Sequence, residues 1–132
     1  MYSGSCFCRA VRYQVEGAPF HETLCHCSIC RRTSGAPFVA WASFPRAGFR
    51  FTRGLPARIR SSKGAWRSFC AACGTPLVFE HDDFPDELDI TLGSLDEPES
   101  IQPKDHTHVR SKLSWVDHME GLAQYSQGRE EP

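Results

Sequence analysis

The chain has 132 residues, 40% of them hydrophobic, with nine Phe, three Trp, three Tyr and a formal charge of −1. That suits a single domain with a modest core, in which folding withdraws roughly two thirds of the unfolded surface from water. No apolar run approaches the ~20 residues of a bilayer span, and Met1–Ser5 lacks the basic start and apolar stretch of a secretory signal. A cytoplasmic protein without membrane contact is expected, and reduced clustered cysteines then favour metal over disulfides.

In chain order, Val11–Val15 alternates apolar and polar residues as a half-buried strand does. Ser28–Ser34 predicts one or two helical turns, stopped by Gly35. Pro37–Phe44 is apolar and aromatic and ends at Pro45, which suits a buried strand. Gly48–Phe51, Ala57–Arg60 and Trp66–Phe69 are short and alternating, and Leu77–Phe79 and Leu88–Leu92 complete the set. Gly and Pro punctuate nearly every gap, the pattern of antiparallel strands joined by tight turns. The expectation is a mainly β domain with little helix over residues 1–126, followed by a disordered tail at 127–132.

Charge is segregated along the chain. From Arg31 to Arg67 there are nine basic residues and no acidic one, and from Glu80 to Asp105 ten acidic residues with only Lys104 basic. A basic block can gather anions, or it can be a set of solvated strand faces. Its interleaved aromatics (Trp41, Phe44, Phe49, Phe51 and Trp66) would allow a zinc-scaffolded module binding protein or nucleic acid. Alternating aromatics in strands are more often core, and a pI near 6.6 makes nucleic acid an unlikely partner.

All seven cysteines fall into three clusters: Cys6 and Cys8; Cys25, Cys27 and Cys30; Cys70 and Cys73. Cys70-Ala71-Ala72-Cys73-Gly74 has the form of a zinc knuckle, which supplies half a tetrahedral site. A redox pair would require a helix start in a βαβ setting, which this sequence does not offer. Residues two apart on a strand share a face, so Cys6 and Cys8 can reach one ion, while a bond between them would be strained. Cys25, Cys27 and Cys30 can cap one face of a metal from a single stretch. Their fourth position falls to water, a substrate or a distant side chain, with His21, His26, His81, His106, His108 and His118 available. His26, between two ligands, would point away from the ion. The spacing leaves open whether Cys70 and Cys73 pair with Cys6 and Cys8 or with the central stretch.

Cys25-His26-Cys27-Ser28-Ile29-Cys30-Arg31-Arg32 followed by Gly35-Ala36-Pro37-Phe38 resembles the glutathione-dependent formaldehyde-activating enzyme family, which also includes centromere protein V. Cys6-Phe7-Cys8 before Val11-Arg12-Tyr13, Phe69 through Leu77, Ile90 through Asp96, and a His106/His108 stretch running to Trp115 extend the likeness over about residues 3–125. The chain departs from the family at Arg9, where Gly is common, and in its compactness. The resemblance implies an Mss4-like β-tent with two zinc sites. Cys6, Cys8, Cys70 and Cys73 would form a structural zinc site, and Cys25, Cys27 and Cys30 a second, catalytic-type one.

The activity it implies is carbon–sulfur lyase chemistry on an adduct of glutathione with formaldehyde, a small thiol and an aldehyde being the partners. An open position on a three-thiolate zinc can hold a substrate thiol deprotonated. Arg31 and Arg32 are candidates to meet the substrate's developing charge. Methionine sulfoxide reductase chemistry, on a similar fold, needs a free catalytic cysteine, whereas all seven here are committed to metal.

Overall fold

The computed structural model describes residues 1–129; the last three positions of the expected tail lie outside the described residues. Ten strands form two sheets. The first sheet joins β1 (Tyr2–Ser5), β2 (Arg12–Val15) and β5 (Phe49–Arg53). The second runs in the order β10-β3-β4-β9-β8-β7-β6, formed from Phe20–Cys25 (β3), Val39–Pro45 (β4), Ala57–Ser62 (β6), Ala65–Phe69 (β7), Pro76–His81 (β8), Glu87–Thr91 (β9) and Asp105–Thr107 (β10). Among the described residues a single short α-helix, α1, spans Ser28–Ser34.

Alternation along β2 explains its place. Tyr13 and Val15 are fully buried while Arg12 and Gln14 are half-exposed. They meet Ala42, Phe44, Leu77, Leu88 and Ile90 in one core that contains residues of both sheets. A buried polar chain reinforces the junction. The Tyr13 hydroxyl lies 2.7 Å from Ser94 Oγ, and Thr91 Oγ1 donates at 2.8 Å to the Pro76 carbonyl. Arg12 pairs with Asp96 at 2.6 Å. The Ile90–Asp96 stretch thus ties the small sheet to the large one.

The predicted strands are all present, with ends shifted by no more than two residues. The helix matches its expected span, with Gly35 at φ 70° donating its N–H to the Arg31 carbonyl at 2.7 Å. Leu92, expected at the end of β9, starts a 3-10 turn instead. β1, β3 and β10 carried no alternating signal. β1 is Tyr-Ser-Gly-Ser, and the register of β3 shifts between Phe20 and Thr23, which breaks its alternation.

One pairing departs from the expected antiparallel arrangement: β10 lies parallel to β3, with His106 opposite Leu24 and Thr107 opposite Cys25. Parallel neighbours need a long crossover, so no local turn motif announces them. The 3-10 segment Ser114–Gly121, with Val116 buried, was also absent from the expected elements.

The two charge blocks meet at one point of the sheet. Arg46 and Arg58, from the basic block, both pair with Glu80 from the acidic one. Of the interleaved aromatics, Trp41 and Phe44 are buried, and Phe49 and Phe51 pack on the core, as strand aromatics usually do.

Candidate metal centres and the adjoining cavity

The β1–β2 loop carries Cys6 and Cys8, and the β7–β8 turn carries Cys70 and Cys73. Their four Sγ atoms lie within 4.8 Å of one another, which resolves the pairing that spacing leaves open. Cys6 and Cys8 sulfurs are 3.7 Å apart, as are those of Cys8 and Cys70. Tetrahedral zinc with Zn–S bonds of ~2.3 Å needs sulfurs about 3.8 Å apart, so the donor set fits. Backbone amides support the sulfurs: Val11 N–H donates to Cys6 and Cys73 N–H to Cys70, each at 3.4 Å. The Thr75 hydroxyl and amide hold the Cys73 thiol down to about 5, favouring the thiolate a metal needs. The turn requires Gly74 at φ 83°, and Arg9 takes the similar φ of 66° in the other loop.

Cys25, Cys27 and Cys30 also converge within 4.8 Å. Cys25 ends β3, Cys27 caps α1 by accepting the Cys30 N–H at 3.2 Å, and Cys30 is the helix's buried residue. The Cys30 thiol lies 3.4 Å from Cys25 Sγ; that hydrogen bond draws Cys25 down to about 7 and pushes Cys30 up. No fourth Cys, His, Asp or Glu among the described residues joins this group.

These cysteines form part of a cluster distinct from the main core, with Trp41, Val39 and Phe79. They line a cavity of about 360 Å³, together with His21, Asp89, Arg67, Phe84 and His108. Strand register explains the opposite wall. Ser43 pairs with Asp89, Asp89 with Phe79, Phe79 with Arg67 and Arg67 with Ile59, a transverse row across five strands. Ser43 donates to Asp89 Oδ1 at 2.6 Å, while burial raises the Asp89 carboxyl above the ordinary carboxylate range. Arg67 aims two guanidinium nitrogens at Cys30 Sγ, at 3.6 and 3.7 Å. The guanidinium is fixed by Ser61 Oγ at 3.0 Å and by the Phe79 ring, whose centroid is 5.0 Å away.

The glutathione-dependent formaldehyde-activating enzyme family matches residues 1–111. The chain belongs to this family. A Halomonas elongata protein, provisionally named as such an enzyme, is 30% identical over 128 residues, covering 89% of this chain and 80% of its own length. An uncharacterized lyase of Schizosaccharomyces pombe is 30% identical over 80 residues, and the match takes in 61% of this chain and 58% of the relative. A solved Rhodobacter sphaeroides protein superposes with a TM-score of 0.65 at 26% identity, covering 80% of this chain and 99% of the other. Family and structural neighbour agree with the mainly β architecture. No helix among the described residues is long and apolar enough to cross a membrane.

Within this family member, the two arginines singled out from sequence lie elsewhere. Arg31 and Arg32 line a separate groove with Pro37, Leu113 and Trp115. The guanidinium beside the cysteines is that of Arg67, and nothing in the sequence around it announces that. Its position depends on pairing between β6, β7 and β8. His26 is fully buried with its Nε2 2.8 Å from His106 Nδ1, and its ring packs on Phe38, away from the sulfurs. Burial, the largest cause, and the neighbouring His106 and Lys112 push its pKa below the ordinary imidazole value. His21 and His108 line the cavity, both in the left-handed backbone region, at φ 51° and 55°. Such conformations are uncommon for residues other than Gly.

Proposed function

We propose that the protein is a zinc-dependent carbon–sulfur lyase acting on a thiol–aldehyde adduct, glutathione being the thiol, at Cys25, Cys27 and Cys30. Zinc at Cys6, Cys8, Cys70 and Cys73 would serve the fold. The single observation that carries the reading is three converging thiols in a cavity wall, with Arg67 against one of them. Zinc held by those three thiolates would supply an open position for the substrate sulfur, favouring the thiolate that leaves in cleavage or attacks in the reverse direction.

The remaining chemistry falls to the chain. In cleavage, the adduct's hydroxyl proton passes to a base and the oxygen's electron pair closes to the aldehyde carbonyl. The carbon–sulfur pair leaves with sulfur. Asp89 fits the base, because Ser43 is its hydrogen-bond partner at one carboxylate oxygen and burial favours accepting a proton. Arg67 offsets the negative charge that collects on sulfur, and its contact with Cys30 orients it for that task. Trp41 and Phe79 keep the site apolar beside the charges, which strengthens both effects. The names of the Halomonas and fission-yeast relatives support the lyase assignment.

The test is Cys27→Ser assayed on glutathione–formaldehyde adduct, with zinc quantified per chain. Loss of turnover with one zinc and a native fold is expected. Full turnover with one zinc missing would sink the reading.

A further inference from the structure

A second cavity, of about 300 Å³, adjoins the cysteine cavity, and the two share Trp41 and Arg67. Its apolar walls are Val39, Trp41, Ile59, Phe69, Pro76 and Val78, with Gly74 and the one hydroxyl of Ser68 among them. Thr33 and Ser34 also reach it, but their hydroxyls donate at 2.7 and 2.6 Å to the Ile29 and Cys30 carbonyls of their own helix. With those donors occupied, the compartment presents mainly hydrocarbon. It carries no acidic residue and one basic residue, the shared Arg67. Ile59 is 43% exposed on edge strand β6, between Arg58 and Arg60, where core packing gives no reason for an isoleucine.

A peptide thiol such as glutathione, with two carboxylates and an ammonium, gains little from such walls. A hydrocarbon group does, since apolar cavities of about 150 Å³ already take a benzene ring. We propose that this compartment binds an alkyl or aryl substituent carried on the carbon attached to the substrate sulfur. The preferred adducts then derive from aldehydes larger than formaldehyde. The inference rests on the lyase reading for the placement of sulfur at Cys25, Cys27 and Cys30. Trp41 and Arg67, common to both cavities, mark where the substituent passes from one to the other.

Calorimetric titration of the zinc-loaded protein with S-hexylglutathione and S-methylglutathione tests this without turnover, because the two ligands differ only in hydrocarbon. The hexyl compound should bind at least ~30-fold tighter, as expected for partial burial of five additional methylenes. Ile59→Glu places a charge in the apolar wall on an exposed strand position, and should reduce that preference to within about three-fold. Methyl resonances of Val39 and Val78 should shift with the hexyl ligand and not with the methyl one. Equal affinities, binding of neither ligand, or a preference untouched by Ile59→Glu would overturn the proposal. A hexyl preference in a protein that cleaves no adduct keeps the compartment and removes the lyase reading. Cleavage of the formaldehyde adduct without any hexyl preference does the reverse.

Discussion

Replacing Arg67 by Met keeps most of the side chain's bulk against Trp41 and Phe79 and removes the charge facing Cys30. A unit charge 3.6 Å from a thiolate sulfur interacts by roughly 4–5 kcal/mol at an effective dielectric of about 20. The guanidinium is half-buried, so water and salt reduce this to about 1–2 kcal/mol. Zinc at Cys25, Cys27 and Cys30 should therefore bind roughly five- to thirty-fold more weakly in Arg67→Met. The other four-cysteine set has no contact with Arg67 and should keep its affinity. Competition with a chromogenic chelator would resolve the two zinc ions as separate release steps. Arg67→Lys should recover part of the loss, and raising salt from 20 to 500 mM should narrow the gap between wild type and Arg67→Met. Unchanged affinity in the weaker step, or equal weakening in both, would refute the charge argument.

Asp89→Asn should lower adduct turnover by 100-fold or more if Asp89 takes the proton. The same change should raise stability at pH 7. The folded carboxyl titrates above its unfolded value, so its ionised form costs stability that returns as pH falls through the folded value. Urea melts at pH 7 and pH 5 should show the advantage of Asn shrinking at the lower pH; an advantage that grows would contradict the sign. Cys73→Ser removes a ligand from the four-cysteine set and should lower the melting temperature by more than ~10 °C, whereas Cys27→Ser should move it by a few degrees at most. Differential scanning fluorimetry separates the two, and equal shifts would deny them distinct purposes. At Gly4, an added Cβ would collide with the Tyr13 ring and sit 2.7 Å from the Ser94 carbonyl oxygen. Gly4→Ala should cost about 2–4 kcal/mol in chemical denaturation, from overpacking and a disturbed Tyr13–Ser94 hydrogen bond. Arg9, at φ 66°, should tolerate Gly with a gain of up to about 1 kcal/mol, and a loss above that figure would mean that its side chain stabilises the loop.

Much of the fold was legible because short-range physics wrote it into neighbouring residues. Alternation at Arg12–Val15 marks a strand with one buried face, and Gly35 marks the end of α1 because it can adopt the left-handed region. β1, β3 and β10 escaped notice for the opposite reason. Polar residues dominate β1 and β10, a bulge interrupts β3, and the strand character of β3 and β10 comes from partners as far apart as Thr23 and Asp105. The His26–His106 contact depends on the same parallel pairing.

For the candidate site, local spacing alone was enough to name the donors. Seven cysteines at spacings of two and three residues can meet around metal only in a few ways, because a tight turn or a strand's pleat brings neighbouring sulfurs to one side. Tertiary structure decided how the three clusters combine and what surrounds them. It joined Cys6 and Cys8 to Cys70 and Cys73, placed Arg67 at Cys30 where sequence pointed to Arg31 and Arg32, and set Asp89 in the cavity wall. Those placements follow from the register between strands distant in the chain. A shift of one residue would turn Arg67 to the opposite face, and no local pattern of residues records that choice.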